Sequence, residues 1–221
     1  MIFCYIMHGN KEFIRSIRRD YLKDDLLEKD ISNDPIQQFG KWFYEALESK
    51  LVDGNAMTLA TVSENRPNAR IVLLKSFDEN GFEFFTNYGS QKAREIEQNP
   101  EGCLLFYWGE FERQIRINGI IKKINREESG IYFSQRPRDS QIGAIASRQS
   151  EKLESRELLE TRYKSIAQKY EGKDIPLPEF WGGYVLVPDY FEFWQGRPNR
   201  LHDRITYTKQ NNIWTISRLY P

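Results

Sequence analysis

Gln114-Ile-Arg-Ile-Asn-Gly-Ile-Ile-Lys-Lys-Ile124 is the stretch that decides how this chain folds. Ile115, Ile117, Gly119 and Ile121 fall on one face, and Gln114, Arg116 and Asn118 on the other. A period of two is the pattern of a half-buried β-strand, whose successive side chains leave opposite faces of the pleat. The signal recurs on both sides. Upstream, residues 57–62, 69–77, 82–86 and 102–108 read as strands, with turns at Glu64-Asn-Arg-Pro67 and Asp78-Glu-Asn-Gly81. Downstream, residues 181–187, 190–194, 204–208 and 213–219 read the same way. Consecutive strands with short turns predict an antiparallel barrel or sandwich. Strands at both ends must share one sheet, so residues 31–221 are expected to form a single domain. A tail and mobile arm over residues 1–30 precede it.

Helices interrupt the strands. Residues 11–30 are heavily charged and predict a short helix followed by an extended arm. Asp34 suits an N-cap and Pro35 a first helical position, and Ile36, Phe39, Phe43 and Leu47 follow at helical spacing until Asp53-Gly54-Asn55. Residues 90–98 predict a short helix. Asn125 with Glu128 resembles a capping box opening a helix to about Gln135, which Arg136-Pro-Arg-Asp-Ser140 breaks. Ser150 is expected to begin a longer helix to Tyr170, with Leu159, Tyr163, Ile166 and Tyr170 on one face. Residues 175–178 form a rigid linker.

Composition narrows the function. Among 221 residues, Lys+Arg and Asp+Glu are both 32, so the net charge is zero. A general nucleic-acid or membrane-surface binder carries a basic excess, so neither partner is expected. Cys4 and Cys103 show no metal-ligand spacing, which points to no metal, no disulfide and a reduced, cytoplasmic protein. No apolar run has the length of a membrane span. Residues 1–7 are apolar but short, and read as a tail with Met7 as an alternative start.

Charge is clustered locally, which suits a small anionic ligand. Trp194-Gln-Gly-Arg-Pro-Asn-Arg-Leu-His-Asp-Arg204 holds three arginines and one of two histidines, anchored between strands. Arginine offers a planar fork for phosphate or carboxylate, and histidine titrates near neutrality. If the segment is extended, Arg200 and His202 project to one side, and a twist sends Arg204 elsewhere. Thr86-Asn-Tyr-Gly-Ser-Gln-Lys92 is a strand-to-helix turn, where free N–H groups and Lys92 favour phosphate. Tyr132, Arg136 and Ser140 recur every four residues. Arg70-Ile-Val-Leu-Leu-Lys75 puts its two cations on opposite faces of an ideal strand, unless a bulge or twist intervenes.

Together with Ser134-Gln-Arg-Pro-Arg-Asp-Ser-Gln-Ile-Gly143, Ser147-Arg-Gln-Ser150, Phe180-Trp-Gly-Gly183 and Arg218-Leu-Tyr-Pro221, these runs resemble the pyridoxine/pyridoxamine 5′-phosphate oxidase family. The resemblance covers about residue 14 to the end. It implies a mostly β fold with flanking helices, a split β-barrel that binds flavin mononucleotide (FMN) between the subunits of a homodimer. It also implies oxidation of pyridoxamine or pyridoxine 5′-phosphate to pyridoxal 5′-phosphate, with O2 as acceptor and H2O2 and, from the amine, ammonia as products. Carried over, the FMN contacts are Arg70, Ile71, Val72, Leu73, Leu74, Lys75, Phe85, Thr86, Gln91, Lys92, Gln114, Gln149, Ser150, Trp194 and Arg204. Lys75, Tyr132, Arg136 and Ser140 hold the substrate phosphate. Arg200 and His202 are the catalytic pair over the pyridine ring, and Arg18 and Tyr21 belong to an arm that folds over the site. Phe85 stands where a tyrosine is common, and Gln91 where an arginine or lysine is common. The alternative is a split-barrel FMN carrier or reductase, which needs the flavin contacts but not Tyr132, Arg136, Ser140, Arg200 and His202.

Overall fold

The alternation that begins at Gln114 is realised as the central strand of the sheet, where Arg113, Ile115, Ile117, Gly119 and Ile121 are buried and the residues between them half-buried. The computed structural model describes residues 11–221; Cys4, Met7 and the rest of the tail lie outside the described residues. The chain runs α1 (Lys11–Ser16), α2 (Pro35–Glu48), β1 (Ala56–Ser63), β2 (Arg66–Leu73), β3 (Ser76–Asp78), β4 (Gly81–Asn87), α3 (Gln91–Gln98), β5 (Glu101–Trp108) and β6 (Arg113–Lys123). It continues with α4 (Arg126–Gln135), α5 (Arg138–Ala146), α6 (Arg156–Lys169), β7 (Trp181–Gln195), β8 (Asp203–Gln210) and β9 (Ile213–Arg218). The nine strands form one antiparallel sheet, ordered β2-β1-β5-β6-β7-β4-β3, with β8 and β9 added on β7. No helix among the described residues is long and apolar enough to cross a membrane.

Two departures from the expected strands explain how this sheet curls and splits. Residues 69–77 are not one strand. The run breaks at Leu74-Lys75, where the backbone passes from Asn55, beside β1, to Glu83 on β4. Because β2 and β3 are consecutive in the chain and lie at the two ends of the strand order, that hand-over draws the sheet into a barrel. It also removes the tension between Arg70 and Lys75, since strand alternation does not cross the break. Conversely, residues 181–187 and 190–194 are one fifteen-residue strand, β7. Asp189 is an extra residue opposite the Asn118–Gly119 step, a β-bulge that bends the strand. Along one edge β7 pairs with β6 throughout. Along the other it pairs first with β4 and, past the bulge, with β8.

The barrel interior is apolar, and α2 plugs it. Asp34 accepts from the N–H groups of Ile36 and Gln37, so the helix starts as its sequence directs. Phe39, fully buried, packs edge-on against Phe77, Phe82 and Phe106 and stacks on Phe43. Truncating so large a core ring to alanine typically costs about 3–5 kcal/mol. A second, smaller core of Phe133, Ile142, Ile175 and Trp181 gathers under α4, α5 and α6.

The helices beyond the barrel differ from expectation at two places. Pro137 ends α4, but its carbonyl accepts from Ser140 and Gln141, so a further helix, α5, starts at Arg138. The last long helix begins at Arg156 rather than Ser150. Ser150 sits at φ 72 in a turn, whereas Ser155 accepts from the N–H of Leu158 and caps the helix.

Candidate functional site

The expected ligand residues fall into three places. The first is a cavity of about 610 Å³ between β2, β4 and the α4–α5 corner. Ile71, Val72, Leu73, Lys75, Phe85, Thr86, Lys92 and Gln149 line it from the expected flavin set, and Tyr132, Arg136 and Ser140 from the phosphate set. Lys92 is 8 % exposed, held by neutral oxygens alone: Thr86 Oγ1 at 3.1 Å, Gln149 Oε1 at 3.3 Å and Ser90 Oγ at 3.4 Å. Burial, and secondarily Arg70, hold its pKa below the usual lysine value. Arg136 lies over the Trp181 ring at 4.7 Å, and burial lowers its pKa too. Its Nη1 is the one buried side-chain polar atom among the described residues without a hydrogen-bond partner. None of Lys75, Lys92 and Arg136 forms an ion pair among the described residues. Lys75 is exposed and Arg136 half-buried, but Lys92 is buried, and a buried cation without a carboxylate bound to it is costly unless an anion joins it.

Two aromatic neighbours stiffen the cavity wall. Phe85 stacks on Tyr132 at 3.9 Å and on Trp181 at 5.5 Å, so the ring lacking a hydroxyl serves packing. Trp181 was absent from the expected contacts, as were Asn87 and Ser147, which also line the cavity. Trp181 and Ser147 stand inside the runs Phe180–Gly183 and Ser147–Ser150, so the signal was in the sequence.

The second place is the outer face of the sheet beyond the bulge. Gln114 on β6, Trp194 on β7 and Arg204 on β8 are direct cross-strand partners, a single transverse row on one face. Glu192, 4 % exposed, accepts from Arg204 Nε at 2.8 Å, Arg116 Nη2 at 2.7 Å and the Tyr190 hydroxyl at 3.2 Å. Burial alone would raise the Glu192 pKa, but these partners outweigh it and hold it below the usual carboxylate value. Arg204 is thereby fixed in direction.

The third place is a cleft of about 590 Å³ between the arm and the β7–β8 loop, lined by Arg18, Tyr21, Arg200 and His202 together with Arg19 and Arg197. The loop is not extended. It makes a 3-10 turn over Pro198–Arg200, with Asn199 and Arg200 at φ 57 and 63. The turn, not strand alternation, brings Arg200 and His202 together. His202 Nδ1 accepts from the Arg197 N–H at 3.0 Å. While it accepts this bond the imidazole is neutral, and its proton is on Nε2. Burial, then the nearby Arg200, lower its pKa against the opposing pull of Asp203. Tyr21 packs edge-on to Trp194 at 5.6 Å and to His202 at 5.4 Å. The arm is tied down by Arg113 to Asp24 at 2.9 Å, by the Leu26 N–H to Asp203 at 3.1 Å, and by Arg197 to the Asp24 carbonyl at 2.9 Å.

Four expected contacts face elsewhere. Arg70 binds Glu95 at 2.7 Å and Thr61 at 2.5 Å rather than lining the cavity. Gln91 donates to the other oxygen of Glu95 at 2.8 Å. Leu74 belongs to the barrel core, and Ser150 is exposed on its turn.

Two family models match the chain. One described as pyridoxamine 5′-phosphate oxidase covers residues 43–170, and one described as the pyridoxine 5′-phosphate oxidase C-terminal dimerisation region covers residues 181–221. A pyridoxine/pyridoxamine 5′-phosphate oxidase from Rubrobacter xylanophilus is 53% identical over 214 residues, 96% of this chain and 99% of the relative. Among solved structures, PhzG from Burkholderia lata, in complex with tetrahydrophenazine-1-carboxylic acid, superposes with a TM-score of 0.85 at 29% identity, covering 90% of this chain and 99% of that one. An FMN-binding protein from Nostoc punctiforme shares the fold, with a TM-score of 0.69 at 19% identity, covering 86% and 99%.

Proposed function

This chain belongs to the pyridoxamine 5′-phosphate oxidase family, and on that premise we propose that it oxidises pyridoxamine or pyridoxine 5′-phosphate to pyridoxal 5′-phosphate with FMN as cofactor. O2 is the electron acceptor and leaves as H2O2. The amine substrate also takes up water and releases ammonia. The observation that carries the reading is a pair of cations in one cavity without ion-pair partners among the described residues, the buried Lys92 and the half-buried Arg136 with its orphaned, buried Nη1. FMN and the substrate each bring a phosphate monoester, and these cations suit two such dianions.

The residues present fit FMN. Lys92 at the start of α3, Thr86 on β4 and Gln149 in the turn after α5 would hold its phosphate, and Ile71 to Leu73 would flank it. The Gln114–Trp194–Arg204 row would supply the remaining contacts. Lys75, Tyr132, Arg136 and Ser140 would fix the substrate phosphate. Bound flavin supplies the hydride acceptor for the C4′ carbon. Arg200 holds the pyridine end of the substrate by charge. His202, with Nδ1 already engaged, donates a hydrogen bond from Nε2 and orients the substrate rather than removing a proton from it. Tyr21 and Arg18 close the cleft against water.

A homodimer follows from the same reading. Trp181 in the cavity and Trp194 in the row are thirteen residues apart on β7, on the order of 40 Å of extended strand before its bend is allowed for. One flavin bridging both sets therefore draws them from two copies related by a twofold axis. Residues 31–221 then act as one flavin-binding unit, with residues 1–30 as tail and arm.

The test is direct. The purified protein should be yellow, run as a dimer by light scattering, and make peroxide when given pyridoxamine 5′-phosphate. A yellow protein that makes none is a flavin carrier or reductase, and the proposal fails.

A further inference from the structure

Glu112 has no part in the reaction above, yet it is built into both walls of the cleft between arm and loop. It ends the β5–β6 turn at φ 55, a left-handed backbone that costs a non-glycine residue energy and marks a position worth asking about. It is 3 % exposed. A carboxylate at that depth needs charged or N–H partners, and those of this side chain come from the arm. Oε1 accepts from Arg19 Nη2 at 3.2 Å, and Oε2 accepts from the N–H groups of Leu22 at 2.9 Å and Lys23 at 3.1 Å. The backbone carbonyl of the same residue accepts from the N–H of Gly196 at 2.8 Å, where the β7–β8 loop begins. Arm and loop meet at that glycine. A Cβ there would stand 2.6 Å from Cδ1 of Tyr21, so only glycine lets the Tyr21 ring lie down beside His202.

We propose that Glu112 is a positioning residue that clamps the arm onto the loop, its side chain gripping the arm and its backbone the loop. It thereby sets Arg18 and Tyr21 opposite Arg200 and His202. The proposal rests on the oxidase reading for what the cleft binds, but the clamp itself can be read without substrate. A merely structural Glu112 would stabilise the body of the protein and act independently of the arm.

The experiment uses the full-length FMN-loaded protein and its variants Glu112→Gln, Glu112→Ala, Tyr21→Ala and the Glu112→Ala/Tyr21→Ala double. KM and kcat for pyridoxamine 5′-phosphate are read from peroxide, and arm docking from the rate of tryptic cleavage at Arg18, Arg19 and Lys23. Glu112→Ala should raise KM about tenfold with kcat within about twofold, the scale of one lost charged hydrogen bond. It should also speed cleavage of the arm. Glu112→Gln keeps an acceptor for the two N–H groups but loses the charge, so it should fall between; if Glu112→Ala does not fold, this variant carries the test. The double variant should be no worse than Tyr21→Ala alone, because both changes release the same arm. Cleavage at the wild-type rate in the Glu112 variants overturns the clamp. So does a double variant whose KM effects multiply. A wild type that makes no peroxide sinks the oxidase reading instead, and the cleavage rates still decide the clamp.

Discussion

The cavity beside β4 and the cleft beside the β7–β8 loop are both lined with cations, but they are held in opposite ways. The cavity walls come from a barrel strand, a helix start and stacked rings, and Lys92 and Arg136 are left without counter-charges. The cleft walls are an arm and a loop each held by ion pairs: Arg19 to Glu112 and Arg113 to Asp24 tie the arm to the β5–β6 turn and β6, and Arg197 to Asp203 ties the loop to the start of β8. Charge that is left uncompensated in a rigid wall waits for an anionic ligand. Charge already spent on internal pairs holds a surface segment in place, and such pairs weaken with salt. On the proposed reading the cavity binds, and the cleft is assembled over what is bound.

The comparison breaks most sharply at the cleft. Alanine at both Arg200 and His202 should cut peroxide production by about 100-fold or more, in the range of a lost reactive-centre contact, while flavin content after dialysis stays at the wild-type level. Full activity in that variant would reduce the loop to a solvated basic turn. On the cavity side, Arg136→Ala should raise KM by about 10- to 100-fold, corresponding to roughly 1.5–3 kcal/mol for one charged partner, in a protein that remains yellow. Loss of flavin with substrate affinity intact would assign Arg136 to the other phosphate.

Lys92→Met sharpens the contrast between binding and stability. Its lowered pKa means that the charged form is disfavoured in the folded chain. Removing the charge should raise the melting temperature of the flavin-free protein by about a few degrees while abolishing flavin retention. A lower melting temperature would mean that the bonds to Thr86 and Gln149 outweigh the burial.

The pH dependence is smaller. The His202 pKa is lowered from its ordinary 6.5, so its contribution to the loop is complete above that value and fades as pH falls through the folded value. A protonated Nδ1 cannot accept from the Arg197 N–H, so KM should climb on acidification in wild type and not in His202→Asn. The smallest effect is expected at Glu28, whose pKa Arg218 lowers to about 2 by hydrogen bonding. This carboxylate is fully exposed, so Glu28→Gln should leave the melting temperature where it was, and a clear drop would show that the surface pairs act as a network.

Much of the fold was legible because burial enforces periodicity. The β6 alternation, the Asp34-Pro35 start of α2 and the Asn125 cap of α4 all read from sequence as they stand in the structure. The misreadings share a cause. The break at Leu74-Lys75 and the continuity of β7 through Pro188-Asp189 depend on which strand lies alongside, and no local pattern encodes a partner. The same holds for the site. The clustering of cations and aromatics was legible, but their division among cavity, sheet face and cleft was not. Nor was Glu112, whose acidic side chain in a surface turn gives no hint that an arm some ninety residues earlier folds onto it.

The length of β7 has a consequence in mixed populations. If, as proposed, one flavin bridges the cavity and the Trp194 row, which the strand keeps apart on one chain, each complete site in a twofold dimer borrows from both copies. A chain disabled at Lys92 and a chain disabled at Arg204 are then each inactive alone, yet pairing them gathers both lesions into one site and leaves the other wholly native. Co-expressed in equal amounts and assorting at random, two such dead alleles should restore about a quarter of the native sites. Loss of function in this protein would therefore complement between alleles according to which end of a single strand each mutation strikes.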